Sequence, residues 1–205
     1  YTFDEGAEDN EVVDHSGNGL NLSTGSLDDS VVRDGKNGKA LFFNGEDEFL
    51  TLESEALEGD GLTIAMWVQP ESWAGWARIL DLGNQVEDIW LGMDAGSSML
   101  RLDVIGAKGA VSLSTKLPQI GKWTHVAVTL GDGIATLYIN GKMVQKNGSL
   151  VTPQDIGASA LGLYIGRSNW PDPLYRGLMD DVLVANRAFT KDEIASVCAG
   201  VVAAE

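Results

Sequence analysis

The stretch WTHVAVTLGDGIATLYINGKMVQKNG, residues 123–148, decides the fold. Val126, Val128 and Leu130 alternate with Ala127 and Thr129, the period of a β-strand. Asp132-Gly133 and Asn140-Gly141 break the pattern twice. Both residues of Asn140-Gly141 accept the positive φ of a type I′ turn, so this dipeptide is the strongest hairpin signal in the chain. The stretch therefore reads as three antiparallel strands in a meander.

Outward from it, turn signals recur: Gly17-Asn18-Gly19, Asn37-Gly38, Asn44-Gly45, Asp60-Gly61 and Asn147-Gly148. Between them lie short runs rich in Val, Ile, Leu, Thr and aromatics, such as ALFFNG (40–45), LTIAMWVQP (62–70), ARILDLG (77–83), DIWLGMD (88–94) and MLRLDVIG (99–106). Many short strands at this spacing indicate a sandwich or a barrel. LTIAMWV is apolar on both faces, with Ala65 and Trp67 opposite Leu62, Ile64, Met66 and Val68. Such a strand is covered on both sides, or one face holds a ligand. One short helix is well signalled, at the end: Thr190 and Glu193 form a capping box, and Phe189 and Ile194 a hydrophobic staple. Residues 1–198 read as one domain and 199–205 as a tail or the start of a linker. A chain beginning at Tyr1 reads as a mature product or a domain cut from a longer protein.

The chain has 205 residues, 44% hydrophobic and 21% charged, which suits one globular domain with a sizeable core. Its net charge of −16 argues against nucleic acid and against an anionic membrane surface. The same acidity supplies oxygen donors for a hard cation such as Ca²⁺. No apolar run reaches the ~20 residues of a membrane span. A single cysteine, Cys198, allows no internal disulfide. His15 and His125 are too few for a histidine-based zinc site.

GLMDDVLVANRAF, residues 177–189, poses a question. Strict alternation places Asp180 on the same face as Val182 and Val184, with Leu183 and Ala185 opposite. Burying an unpartnered carboxylate is expensive. Asp180 therefore reaches water at a strand end, accepts backbone N–H bonds, or binds a cation.

Several pieces in order match a family: KNGKALFFNGEDEFLTL, LTIAMWVQP, GKWTHVAVTLGDGIATLYINGKMV, LYIGRS and YRGLMDDVLVANRAFTKDEI. The chain resembles the laminin-G-like, concanavalin A-like jelly-roll domains, in particular the pentraxin-related type of secreted bacterial proteins. The resemblance implies an all-β, two-sheet antiparallel β-sandwich with one short C-terminal helix. It implies a secreted or cell-surface setting and, in many members, a bound Ca²⁺. It makes Asp180 the aspartate of the family's terminal Gly-x-x-Asp element, with the N-terminal strand lying beside the last. Asp4, Asp14, Asn18, Asn44 and Gly45 then become candidate calcium ligands together with Asp180. DHSGNG starts like an EF-hand loop, but its twelfth position is Gly25 and no helices flank it. Trp67 and Trp123 match core positions of the family.

Function follows by class. Trp73, Trp76 and Trp170 lie in turn-like, Pro- and Gly-flanked contexts suited to platforms for sugar rings. Arg78, Arg101, Arg167 and Tyr175 add hydrogen-bond donors, and the arginines suit a uronic or sulfated sugar. Trp90, on a strand, reads as core. The glucanase spacing Glu-x-Asp-x-x-Glu is absent, as are a Gly-x-Ser-x-Gly elbow and a phosphate loop. The expectation is a non-catalytic carbohydrate-binding module, monomeric, of a larger secreted protein. Its partner is a polysaccharide or glycan. The alternative is an adhesion or protein–protein interaction module of laminin-G type that binds an extracellular protein, and behind it a glycan-active enzyme.

Overall fold

The structure is a computed structural model and describes residues 1–6, 10–24, 27 and 31–200. Two antiparallel sheets pack face to face, as expected. The eight-stranded sheet runs, edge to edge, through β1 (Glu11–Val12), β2 (Leu22–Thr24), β5 (Leu50–Thr51), β14 (Gly162–Ile165), β7 (Arg78–Gly83), β8 (Asp88–Asp94), β9 (Met99–Gly106) and β10 (Gly109–Lys116). The seven-stranded sheet runs through β13 (Lys142–Gly148), β12 (Ile134–Ile139), β11 (Thr124–Gly131), β6 (Leu62–Ser72), β15 (Arg176–Ala185), β4 (Lys39–Asn44) and β3 (Val32–Asp34). A one-turn helix, α1 (Pro153–Gly157), precedes β14, and α2 (Lys191–Cys198) follows β15.

The meander is β11-β12-β13. Its two dipeptides do what their chemistry suggests: Asp132 and Gly133 have φ of 51° and 71°, Asn140 and Gly141 of 50° and 73°. Leu62, Ile64, Met66 and Val68 of β6 face Leu80 and Leu82 of β7, Leu91 of β8 and Leu102 of β9 within one buried core. The opposite face of β6 is covered in part by α2. Ala65, Ala127, Tyr138 and Ile194 are buried there, with Leu183, Phe189 and Val197 packed around them. Thr190 accepts from the Glu193 N–H, and the Glu193 side chain accepts from the Thr190 N–H, so the capping box is formed. Ala199 and Gly200 close α2 through bonds to Ala195 and Val197; the rest of the expected tail, 201–205, and Gly25 lie outside the described residues.

Trp67 departs from the expected core packing. It lies on the outer face of β6, half-buried, with its ring edge against His125 and Lys36 Nζ 4.8 Å from its centroid. Trp123 is half-buried.

Strict alternation fails in β15. Asp180 pairs with Trp67 and Leu183 with Ala65, so two residues are inserted between them where one would keep the register. Asp181, at φ 49°, takes up the irregularity. The bulge re-aims one side chain relative to its neighbours. Val182 and Val184 stay on the core side, while Asp180 moves to the outer face beside Trp67. The carboxylate and the valines do not share a face after all. Tyr1 pairs with Val182 through backbone bonds of 2.9 and 3.0 Å, which sets the N-terminal segment beside the last strand.

His125 is 1% exposed, and neither ring nitrogen has a hydrogen-bond partner among the described residues. Burial holds its pKa down to about 4, against an ordinary 6.5. The unfolded chain therefore binds a proton that the folded chain refuses. Stability from this group is intact above pH 6.5 and is lost as pH falls toward 4, by about 3 kcal/mol at 1.4 kcal/mol per pH unit. Asp88 and Asp180 have pKa values raised to about 7 and about 6, and they act in the opposite direction over part of this range. The expected result is accordingly a difference: between pH 6.5 and 4 the parent loses more stability than His125→Leu. Urea unfolding of both proteins across that range measures it; parallel pH profiles would refute it.

β13 is an edge strand in which every residue is exposed. Its Gln145 accepts a bond from the Ser114 N–H of β10, the edge of the other sheet.

Candidate functional site

The outer face of the eight-stranded sheet carries polar and aromatic side chains where a solvated face would carry scattered ones. Register places Thr51, Tyr164, Asp81, Trp90, Asp103 and Ser112 in one row across β5, β14, β7, β8, β9 and β10. Beside that row stand Arg78, Asp88 and Arg101. Their neighbours Ile89, Leu91, Leu100 and Leu102 point the other way, into the core.

Arg78 is 5% exposed and is the hub. Its Nη1 donates to Asp81 Oδ2 at 2.5 Å and lies 3.4 Å from Asp88 Oδ2; Nη2 lies 3.4 Å from Asp172 Oδ2. Its guanidinium stacks on Trp90, 4.5 Å from the ring centroid. Arg101 approaches the same ring at 5.7 Å and pairs with Asp103 at 2.7 Å and Asp94 at 3.7 Å. Asp81, Asp88 and Asp103 are all buried. Burial, with Asp81 alongside, pushes Asp88 up to about 7. Asp88 Oδ1 and Arg78 Nε are buried without a partner among the described residues.

Two loops dock on this hub. The β6–β7 loop carries Trp76, whose N–H donates to the Met93 carbonyl. Trp76 sits at φ 69°, a conformation a bulky residue adopts only when the surroundings impose it, and such strain gathers at functional sites. Its ring is 38% exposed and stands edge-on to Trp90, 6.2 Å between centroids. The β14–β15 loop carries Trp170, which is 46% exposed. Next to it, Asn169 donates to both Asp81 oxygens, at 3.1 Å from N–H and 2.8 Å from the amide, and to the Gly162 carbonyl. Ser168 hydrogen-bonds Asp172 and accepts the Trp170 N–H. An isolated bridge between Arg78, the first residue of β7, and Leu174 ties the β14–β15 loop to the strand that the β6–β7 loop enters.

Trp76, Arg78 and Arg101 of the expected ligand group thus meet at Trp90, and Trp170 follows Asn169, which bonds Asp81. Trp90 is buried, 4% exposed, as its reading as core expects; it packs beneath Trp76 and the two guanidiniums rather than within either apolar cluster. Asp81, Asp88, Asp103 and Asn169 are further members that no motif announced. Arg167 lies on the same face at β14, over Tyr164. Trp73 and Tyr175 are corrected. The Trp73 indole donates to the Pro118 carbonyl and its ring packs edge-on to Tyr175. Tyr175 is fully buried, with its hydroxyl on the Leu178 carbonyl, so it presents no surface to a ligand, and Trp73 is half-buried with its indole N–H already used.

The expected calcium ligands are spread over three turns. Asp180 Oδ2 accepts the N–H groups of Lys36 (2.7 Å) and Asn37 (3.0 Å), and Oδ1 accepts that of Asp181 (2.7 Å). Asp4 accepts the Lys39 N–H of the same 35–39 turn. Asp14 accepts from Ser16 and Leu20, and Asn18 bonds Ser16, within the 14–20 turn. Asn44 accepts from Glu46 and Asp47, beside Gly45, which adopts φ 78°. The side-chain oxygens of Asp14, Asn44 and Asp180, and Oδ1 of Asp4, are taken up by backbone N–H donors. Among the described residues no three His, Cys, Asp or Glu side chains come together to hold a metal ion. Ca²⁺ needs six to eight oxygens at one point, and these residues do not fit it.

The profile of the concanavalin A-like lectin/glucanase superfamily, laminin-G type, matches residues 44–195. The chain belongs to this superfamily. Among solved structures, it is similar to domain 4 of AbnA, an extracellular arabinanase from Geobacillus stearothermophilus, determined with arabinotriose: 22% identity, TM-score 0.71, covering 97% of this chain and 96% of that one. It is similar to the botulinum neurotoxin serotype G binding domain, with 18% identity and TM-score 0.68 over 91% of this chain, and spans 47% of that structure. A pentraxin from Limulus polyphemus matches at 18% identity and TM-score 0.54, over 72% of this chain and 73% of that one. No curated protein sequence matches. At these identities the structures establish the superfamily's fold, and the function is argued from the site.

Proposed function

We propose that this superfamily member is a non-catalytic glycan-binding module, and that its site is the face around Trp76, Trp90 and Trp170. The observation that carries this is the placement of two exposed tryptophans on loops that flank the buried charge network of Arg78, Asp81 and Asp88. Indole faces take the apolar face of a sugar ring, while Arg101, Asn169 and Asp172 offer polar groups for its hydroxyls. The buried Arg78–Asp81–Asp88 group positions these loops and does not itself touch ligand. Asp81 and Asp88 are 0% and 4% exposed and both face Arg78, out of reach of a glycosidic oxygen, which favours binding over hydrolysis. The arabinotriose bound by the AbnA domain is consistent with such a role. Attachment to a larger secreted or cell-surface protein, as a monomeric unit, completes the reading.

Trp76→Gly tests it well, because glycine suits φ 69° and folding is retained while the ring is lost. Losing a ring buried against a sugar is worth about 2 kcal/mol, or roughly 30-fold in affinity. Glycan-array binding followed by calorimetry reads the loss, and reducing-sugar release reads hydrolysis. An unchanged affinity moves the site elsewhere; released sugar replaces a binding module with an enzyme.

A further inference from the structure

We propose that the glycan site continues across β14 to a second subsite, formed by Phe49, Tyr164 and Arg167, that takes a carboxylate-bearing sugar residue of the same chain. The inference rests on the glycan reading of the Trp76 face and adds the chemistry and length of the ligand.

The distance comes from the register. Tyr164 is paired with Asp81, and Asp81 with Trp90. Neighbouring strands lie about 4.8 Å apart, so Tyr164 stands about 10 Å from Trp90 on the same face. That separation suits successive residues of one oligosaccharide rather than one monosaccharide. The ring of Tyr164 leans back along its strand over Gly162, where any Cβ would collide with it. Phe49 meets it at 87°, 5.5 Å between centroids. The guanidinium of Arg167 lies in the corner so formed, 4.5 Å from the Phe49 centroid and 4.9 Å from that of Tyr164.

The charge pattern separates the two ends. At the Trp90 end both guanidiniums are matched: Arg78 by Asp81, Asp88 and Asp172, Arg101 by Asp94 and Asp103. A uronate there meets an excess of carboxylates, so that end suits a neutral sugar, contrary to the expectation from its arginines alone. Arg167 is half-buried and forms no ion pair among the described residues. Stacking on two rings fixes the plane of its fork, and a planar fork matches a carboxylate through two parallel bonds. In a chain of net charge −16, this is a local place for an anion.

The test compares neutral oligosaccharides of three to five residues with uronate-containing counterparts, trigalacturonate among them, on the parent, Arg167→Gln and Trp76→Gly. Circular dichroism confirms that each variant is folded. Uronate-containing chains are expected to bind the parent about tenfold more tightly than neutral chains of equal length. Arg167→Gln is expected to erase that difference by weakening the acidic chains, while Trp76→Gly weakens both. Equal binding of neutral and acidic chains, with Arg167→Gln silent and Trp76→Gly still damaging, overturns the subsite and leaves the glycan reading standing. Binding of no chain at all removes both.

Discussion

Arg78→Ala is expected to destabilise the protein by about 3–5 kcal/mol, the range for removing one partner from a buried ion pair. The guanidinium is the cation facing Asp81 and Asp88, which are 0% and 4% exposed. Taking it away leaves those carboxylates in a site that water does not reach, and Asn169 compensates only Asp81. At 2–4 °C per kcal/mol for a chain of this size, the melting temperature should fall by roughly 10 °C. The cause is separable from lost packing on Trp90. Asp88 has a folded pKa of about 7 against an ordinary 3.8, so its favourable contribution is fully present below pH 3.8 and is lost as pH rises through 7. At pH 8 Asp88→Asn alone should therefore not destabilise, and in the Arg78→Ala background it should restore part of the loss. Thermal unfolding of the four proteins at pH 8 measures the coupling. A loss below about 1 kcal/mol, or no rescue, would show that the charge network does not hold the site together.

Replacing Asp180 is the second large effect. Its carboxylate accepts three backbone N–H groups, two of them from the 35–39 turn, 143 and 144 residues away in sequence. Asp180→Ala leaves three donors at a position that is 0% exposed. Bonds to a charged acceptor are worth about 1.5–3 kcal/mol each, and a loss of at least 3 kcal/mol is expected. Asp180→Asn is nearly isosteric but brings an NH₂ group against donors that already point at it, so it should destabilise too. Excess Ca²⁺ and EDTA should leave the parent's melting temperature unchanged. Stabilisation by Ca²⁺ that Asp180→Ala abolishes would mean that the carboxylate trades its N–H donors for a metal.

Asp180 also shows where the sequence misleads. Period two is a property of regular strands, and a bulge is invisible to it, because nothing in MDDVLV marks Asp181 as the residue that takes positive φ. The strands of the core were legible, since β-branched and aromatic runs alternate cleanly between Gly-containing turns. The Gly109–Lys116 strand was not, because its polar outer face gives little signal. In the loops, composition pointed to Trp76 and Trp170, which lie between turn formers and are exposed. It failed for Trp73 and Tyr175, whose loops fold back so that Pro118 and Leu178 carbonyls accept their polar ends. Trp90 and the buried aspartates share no local pattern; they meet across three strands through register. Oxygen-rich turns suggested calcium because the residues that bind a hard cation are the ones that hold a turn's own N–H groups.

The strand that borders the seven-stranded sheet has a bearing on how this protein behaves when crowded. An unpaired border with its N–H and C=O groups free is a template on which another molecule can lay a strand and begin a fibre. Lys142 and Lys146 lie along β13, and Gln145 reaches across to β10, so the two sheets meet there through a side chain. A newcomer would have to bring its backbone past lysines that repel other cations and resist losing water. On the opposite border, β3 is three residues long and ends in Arg33 and Asp34. A module strung in many copies along a polysaccharide at high local concentration would thus be kept from polymerising by its own borders.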